Sequence, residues 1–189
     1  MLRAVVILGH GASGTAASMR PHVEGLRARG VEAEAVDLPK GRAERAVPVL
    51  AAAARPHGAA VVIGGHSYGG RVASMLAAGE PVAGLVLLSY PLHRPGHPDE
   101  QRTEHWPRIG CPVLLLSGES DPFARVDLLG AAVALLGDAR LVTYPRVGHG
   151  LAPVLDDALD QIAAFVAGLR WAARLAARAG APRGDGQCP

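Results

Sequence analysis

The chain has 189 residues, 49% of them hydrophobic, and a formal net charge of +2. That length suits one domain with a sizeable core, and the near balance of charge gives no footing for a nucleic-acid groove or a membrane-surface patch. Two cysteines, Cys111 and Cys188, make neither a metal-type pair nor a disulfide framework, so a reducing, cytoplasmic setting is expected.

In chain order, short apolar runs alternate with alanine-rich stretches. The first run, residues 4–8, passes straight into Gly9-His10-Gly11, without the basic region or cleavage spacer of a signal peptide. Further strands are predicted over residues 31–37, 59–63, 85–89, 113–117 and 140–144. Their apolar character is nearly continuous, as in a parallel sheet covered on both faces. Helices are predicted over residues 19–29, 42–54, 70–78, 126–136 and 155–178, with Pro153 suited to a first turn. The expected architecture is a single α/β domain: a doubly wound, mostly parallel, six-stranded sheet flanked by helices. Residues 91–108, rich in Pro, His and charge, break the rhythm as a loop or short cap. Residues 180–189, rich in Gly and Pro, are expected to be a disordered tail. No apolar run approaches the roughly 20 residues of a membrane span.

The sharpest local signal is Gly65-His66-Ser67-Tyr68-Gly69, directly after one predicted strand and before a helical stretch. A strand–turn–helix with G-x-S-x-G exposes a serine hydroxyl on a strained turn, and side chains at Gly65 and Gly69 would collide with the adjoining strand and helix. A serine hydroxyl needs a positioned base to become nucleophilic. Past the strand at 113–117 comes Gly118-Glu119-Ser120-Asp121-Pro122, and past that at 140–144 comes Val147-Gly148-His149-Gly150. Ser67 as nucleophile, Asp121 as orienting acid and His149 as base follow the order this fold requires, each at a strand's C-terminal end.

Blander readings compete at each position. Asp121-Pro122 also fits a turn or helix cap, and Glu119 and Asp127 are alternative acids, the latter expected on the following helix. The loop Gly9-His10-Gly11-Ala12-Ser13-Gly14 is where a second oxyanion donor arises. The expected donors are the backbone N–H groups of Tyr68 and Ala12, with Gly11 as the alternative to Ala12. His10 is expected to brace this loop, and His66 to pack beneath the turn. His57, His93, His97 and His105 sit in loop contexts that favour solvated side chains. For the last three, substrate binding is the secondary reading.

These motifs resemble the α/β-hydrolase superfamily over nearly the whole chain. The loop His10-Gly11-Ala12 and the turn Gly65-His66-Ser67-Tyr68-Gly69-Gly70 look most like a short, nearly lidless group of testis-expressed hydrolase-like proteins, near the dienelactone hydrolases. The resemblance implies a minimal α/β-hydrolase domain over residues 1–179, lacking the two antiparallel N-terminal strands of larger members. It also implies a serine hydrolase acting on a small-molecule ester or thioester, with no cofactor and no metal. No nucleic-acid partner or membrane span is expected, and a homodimer is left open.

Two other classes remain in competition. Gly9-x-Gly11-x-x-Gly14, with Asp37 ending the next strand, satisfies a dinucleotide-binding fingerprint formally, but leaves Ser67, Asp121 and His149 unexplained. Arg170, Arg174 and Arg178, at helical spacing, would suit a non-catalytic interaction module, although such stripes are more often solvated faces.

Overall fold

The structure, a computed structural model, describes residues 4–179, with side chains described through residue 169. Six strands form one sheet: β1 (Val5–Gly9), β2 (Glu32–Val36), β3 (Val62–His66), β4 (Gly84–Leu88), β5 (Val113–Gly118) and β6 (Ala139–Tyr144). Their order is β2-β1-β3-β4-β5-β6, and every pairing is parallel. The sheet is thus wholly parallel where a mostly parallel one was expected.

Five α-helices cover it: α1 (Arg20–Ala28), α2 (Ala43–Ala54), α3 (Tyr68–Ala77), α4 (Val126–Ala132) and α5 (Leu155–Ala179). The strands alternate their side chains between two apolar cores, which is why they read as unbroken apolar runs. Ile7, Ile63, Leu85, Leu87 and Leu115 join Leu50 of α2, Val72 of α3 and Leu129 of α4 on one face. Val6, Leu8, Val62, Val86 and Leu114 join Val23 and Leu26 of α1 and Ile162 of α5 on the other. Each fully buried leucine or isoleucine contributes about 1.5–3 kcal/mol.

Three boundaries depart from the sequence reading. Ala59 and Ala60 are not strand; they end a 3-10 turn over Arg55–Ala60, and β3 runs on through Gly64, Gly65 and His66. Gly58 sits at φ 61 within that turn, a left-handed conformation that breaks the extended run. The helix expected over residues 126–136 stops at Ala132 and continues as a 3-10 turn, Val133–Leu135. Pro153 lies in a 3-10 turn, Ala152–Val154, that leads into α5. Among the described residues, no helix is long and apolar enough to cross a membrane. The tail at 180–189, Cys188 and the side chains of Arg170, Arg174 and Arg178 lie outside the described residues.

Because all six strands run the same way, their C-terminal ends share one edge. The chain direction across the sheet reverses at β1, which has β2 on one side and β3 on the other. The crevice outside such a switch point is where open α/β sheets take ligands.

Candidate active site

Ser67 follows β3 at φ 51 and ψ −111, a conformation a non-glycine residue holds only under constraint, at a cost on the order of 1–3 kcal/mol. Three hydrogen bonds impose it. The Ser67 N–H donates to the Leu88 carbonyl at 2.8 Å, continuing the ladder toward β4. The Arg71 N–H donates to the Ser67 carbonyl at 3.0 Å, and the Gly69 N–H donates to the His10 carbonyl at 3.0 Å. The turn is this tight only because β1 and α3 almost touch. A Cβ on Gly69 would lie 2.3 Å from the Gly9 carbonyl, and one on Gly65 would lie 2.4 Å from the same oxygen. The expected collision is therefore real, with the end of β1 as the principal obstacle.

The loops that carry Ser67, Asp121 and His149 meet at this edge. His149 Nδ1 donates to Asp121, at 2.8 Å to Oδ2 and 3.0 Å to Oδ1. That leaves Nε2 as acceptor for the Ser67 hydroxyl, 2.7 Å away. The Asp121 side chain is fully buried, while His149 is 23% exposed. The Phe123 N–H donates to Asp121 Oδ1 at 2.8 Å, and the Phe123 ring lies 4.4 Å from the His149 ring. The carboxylate is thus fixed by two donors and the imidazole by a carboxylate and an aromatic face. The alternative acids are occupied elsewhere. Glu119 accepts from Thr143 Oγ1 at 2.9 Å, and Asp127 pairs with Arg125 at 2.6 Å.

Gly11, Ala12 and Tyr68 line the cavity beside Ser67. Among the described residues, the Ala12 and Tyr68 amides donate no hydrogen bond, so both are available to an anion. Tyr68 opens α3, whose N-terminal dipole adds to that preference. His10 braces the loop as expected: its Nε2 accepts the Leu38 N–H at 2.9 Å, so Nδ1 carries the proton and donates to the Gly11 carbonyl at 2.7 Å.

Other histidines depart from expectation. His66 does not pack beneath the turn; it lines the cavity, and its Nε2 donates to the His149 carbonyl at 3.0 Å. His93 and His105 are buried, not solvated. His93 Nε2 accepts the Arg125 N–H at 3.1 Å, and His105 Nε2 donates to Ser74 Oγ at 2.7 Å. Neither lines the cavity; of the three loop histidines read as alternative substrate groups, none does. His57 is half-buried in its 3-10 turn. Cys111 is buried, which pushes its thiol up to about 11.

The cavity holds about 880 Å³ and straddles the sheet edge. Met19, His22, Leu151 and Leu155 come from the α1 and α5 face; Glu44, Tyr68 and Arg71 come from the α2 and α3 face. Residues 91–108 contribute Pro91 and Arg102 to the wall and hold only one 3-10 turn, Trp106–Arg108, so they form a packed loop. His22, Arg71 and Arg102 carry no local motif that would single them out in the sequence. Burial lowers the His22 pKa to about 4. Among the described residues, no cluster of three or more His, Cys, Asp or Glu side chains could hold a metal ion. The glycine loop does not open a helix as a dinucleotide fingerprint requires. A 3-10 turn, Ala16–Met19, intervenes before α1, and Asp37 Oδ1 accepts the Ala16 N–H at 2.6 Å.

Solved structures share the architecture. A monoacylglycerol lipase of Paleococcus ferrophilus is 16% identical, with a TM-score of 0.74 over 87% of this chain and 94% of that one. Est1E of Butyrivibrio proteoclasticus, with ferulic acid bound, is 17% identical, with a TM-score of 0.68 over 84% and 88%. A structure of the metagenome-derived lipolytic enzymes LipS and LipT is 16% identical, with a TM-score of 0.70 over 88% and 94%. At these identities the likeness is one of fold. The sequence pattern of the alpha/beta hydrolase domain matches residues 2–167, and the chain belongs to that family.

Proposed function

We propose that this chain is a serine hydrolase that cleaves a carboxylic ester or thioester through an acyl-enzyme on Ser67. The observation that carries the reading is the continuous chain of hydrogen bonds from Ser67 through His149 to the buried Asp121. It stands on a turn whose strained serine faces a cavity large enough for a small substrate. The reading extends to the short, nearly lidless group that the turn and the oxyanion loop resemble.

His149 Nε2 takes the hydroxyl proton as Ser67 Oγ bonds to the carbonyl carbon. The negative charge that develops on the carbonyl oxygen is held by the N–H groups of Tyr68 and Ala12. Each such donor is worth about 10²–10³ in rate. Asp121 fixes the tautomer and stabilises the imidazolium. The carbon–oxygen or carbon–sulfur bond then breaks, and His149 returns the proton to the leaving alcohol or thiol. Water, deprotonated by the same nitrogen, attacks the acyl-enzyme, releasing a carboxylic acid and restoring Ser67.

Turnover of short-chain nitrophenyl esters tests the proposal. Ser67→Ala is expected to lose essentially all of it; activity within tenfold of the parent would remove Ser67 from the mechanism.

A further inference from the structure

The cavity is not uniform, and its two walls differ in kind. Met19, Leu151 and Leu155, from the α1 and α5 face, are apolar. The opposite wall carries Arg42, Arg71 and Arg102 against one carboxylate, Glu44. Ser67 stands at the sheet edge between the walls.

Arg71 and Arg102 are poorly compensated for groups so withdrawn from water. Arg71 lies one helical turn beyond Ser67, and its side chain is 23% exposed. Its Nε is buried with no hydrogen-bond partner, and its nearest carboxylate oxygen, on the half-exposed Glu44, is 3.9 Å from a terminal nitrogen. That is beyond hydrogen-bonding distance. Arg102 is half-buried, with one long hydrogen bond, 3.4 Å, to the Pro91 carbonyl. Among the described residues it has no ion pair within 4.0 Å. Burial first, and then the neighbouring Arg71 charge, push the Arg102 guanidinium below its ordinary value. Arg102 is also firmly placed. Its N–H donates to the Leu92 carbonyl at 2.8 Å, and its carbonyl accepts the buried Tyr90 hydroxyl at 2.6 Å. Two adjacent, half-buried guanidinium groups with unused donors are costly in an empty site and match an oxyanion's forked acceptors.

We infer that Arg71 and Arg102 form an anion subsite, so that the preferred substrate carries a carboxylate or phosphate on the side of its scissile carbonyl that faces α3. The apolar wall takes the other end. This inference rests on the hydrolase reading for its catalytic part, but not for binding.

The kinetic test uses pairs matched in length. The mono(4-nitrophenyl) ester of adipic acid is compared with its methyl-capped neutral counterpart, and 4-carboxyphenyl butyrate with its methyl-capped form. The two pairs place the charge on the acyl and the leaving side, respectively. The anionic member of one pair is expected to have at least tenfold higher kcat/KM. That ratio should fall below threefold in Arg71→Gln and in Arg102→Gln, and recover in part in Arg102→Lys. A ratio indexes each preparation against itself, so partial unfolding does not mimic the effect. Binding is measured separately by calorimetry with adipate, adipamide and inorganic phosphate on the intact protein. Adipate or phosphate is expected to bind, with at least tenfold loss in either glutamine variant, and the stronger of the two names the anion; adipamide is not. Charge preference in neither ester pair, or binding that ignores both arginines, overturns the inference. Anion binding without any ester turnover would instead sink the hydrolase reading and leave the subsite standing.

Discussion

His66 donates from Nε2 to the main-chain carbonyl of His149 at 3.0 Å, so the residue preceding Ser67 grips the backbone of the imidazole that Ser67 faces. The two rings lie 5.3 Å apart, tilted by 56°. Burial lowers the His66 pKa, which keeps a second positive charge away from the ring that must accept a proton. His66 is therefore a positioning residue. His66→Leu is expected to lower kcat on nitrophenyl esters roughly tenfold with little change in KM, and His66→Asn to restore part of the loss. Unchanged kcat in His66→Leu would show that the grip has no bearing on turnover.

Among the described residues Asp121 is the one carboxylate paired with His149, and its side chain is wholly out of solvent. An amide there cannot hold the same tautomer, so Asp121→Asn is expected to cost roughly 10⁴ in kcat, the size of the effect in a serine protease. Asp127→Asn weakens an exposed pair with Arg125 and contacts to main-chain N–H groups in the first turn of α4, and should change kcat by less than about twofold. Steady-state kinetics of the two variants side by side decide the matter. A greater loss at Asp127 would mean the acid is misassigned.

His22 makes stability depend on pH. Its pKa is lowered from 6.5 to about 4, so between those values the unfolded chain binds a proton that the folded one refuses. Stability is full above about pH 6.5 and is lost as pH falls toward 4, by on the order of 2–3 kcal/mol for this group. Urea denaturation at a series of pH values should show the midpoint falling through this window, with a shallower fall in His22→Leu. An equal slope in that variant would assign the dependence to other groups.

What could be read from the sequence was what local rules encode. Ser67, Asp121 and His149 each follow a strand in a recognisable turn, and the parallel sheet brings those strand ends to one edge. The start of β3 was misplaced because Ala59 and Ala60 look like the valines that follow, whereas Gly58 turns the backbone just before them. His93 and His105 were misread because a polar side chain in a Pro-rich loop looks solvated until a partner arrives from elsewhere. For His93 that partner is the Arg125 N–H, 32 positions away. His22, Arg71 and Arg102 come from three separate elements, and only the fold brings them to one cavity. Spacing along the chain contains no trace of that meeting.

Whether His149 activates Ser67 is measured directly by covalent labelling. The intact protein is treated with a fluorophosphonate and the modified peptide is mapped by mass spectrometry, beside His149→Ala. Stoichiometric modification at Ser67, slowed at least a hundredfold in His149→Ala, is the expected result. A folded protein that stays unlabelled at Ser67, or is labelled at the same rate without the imidazole, would contradict it.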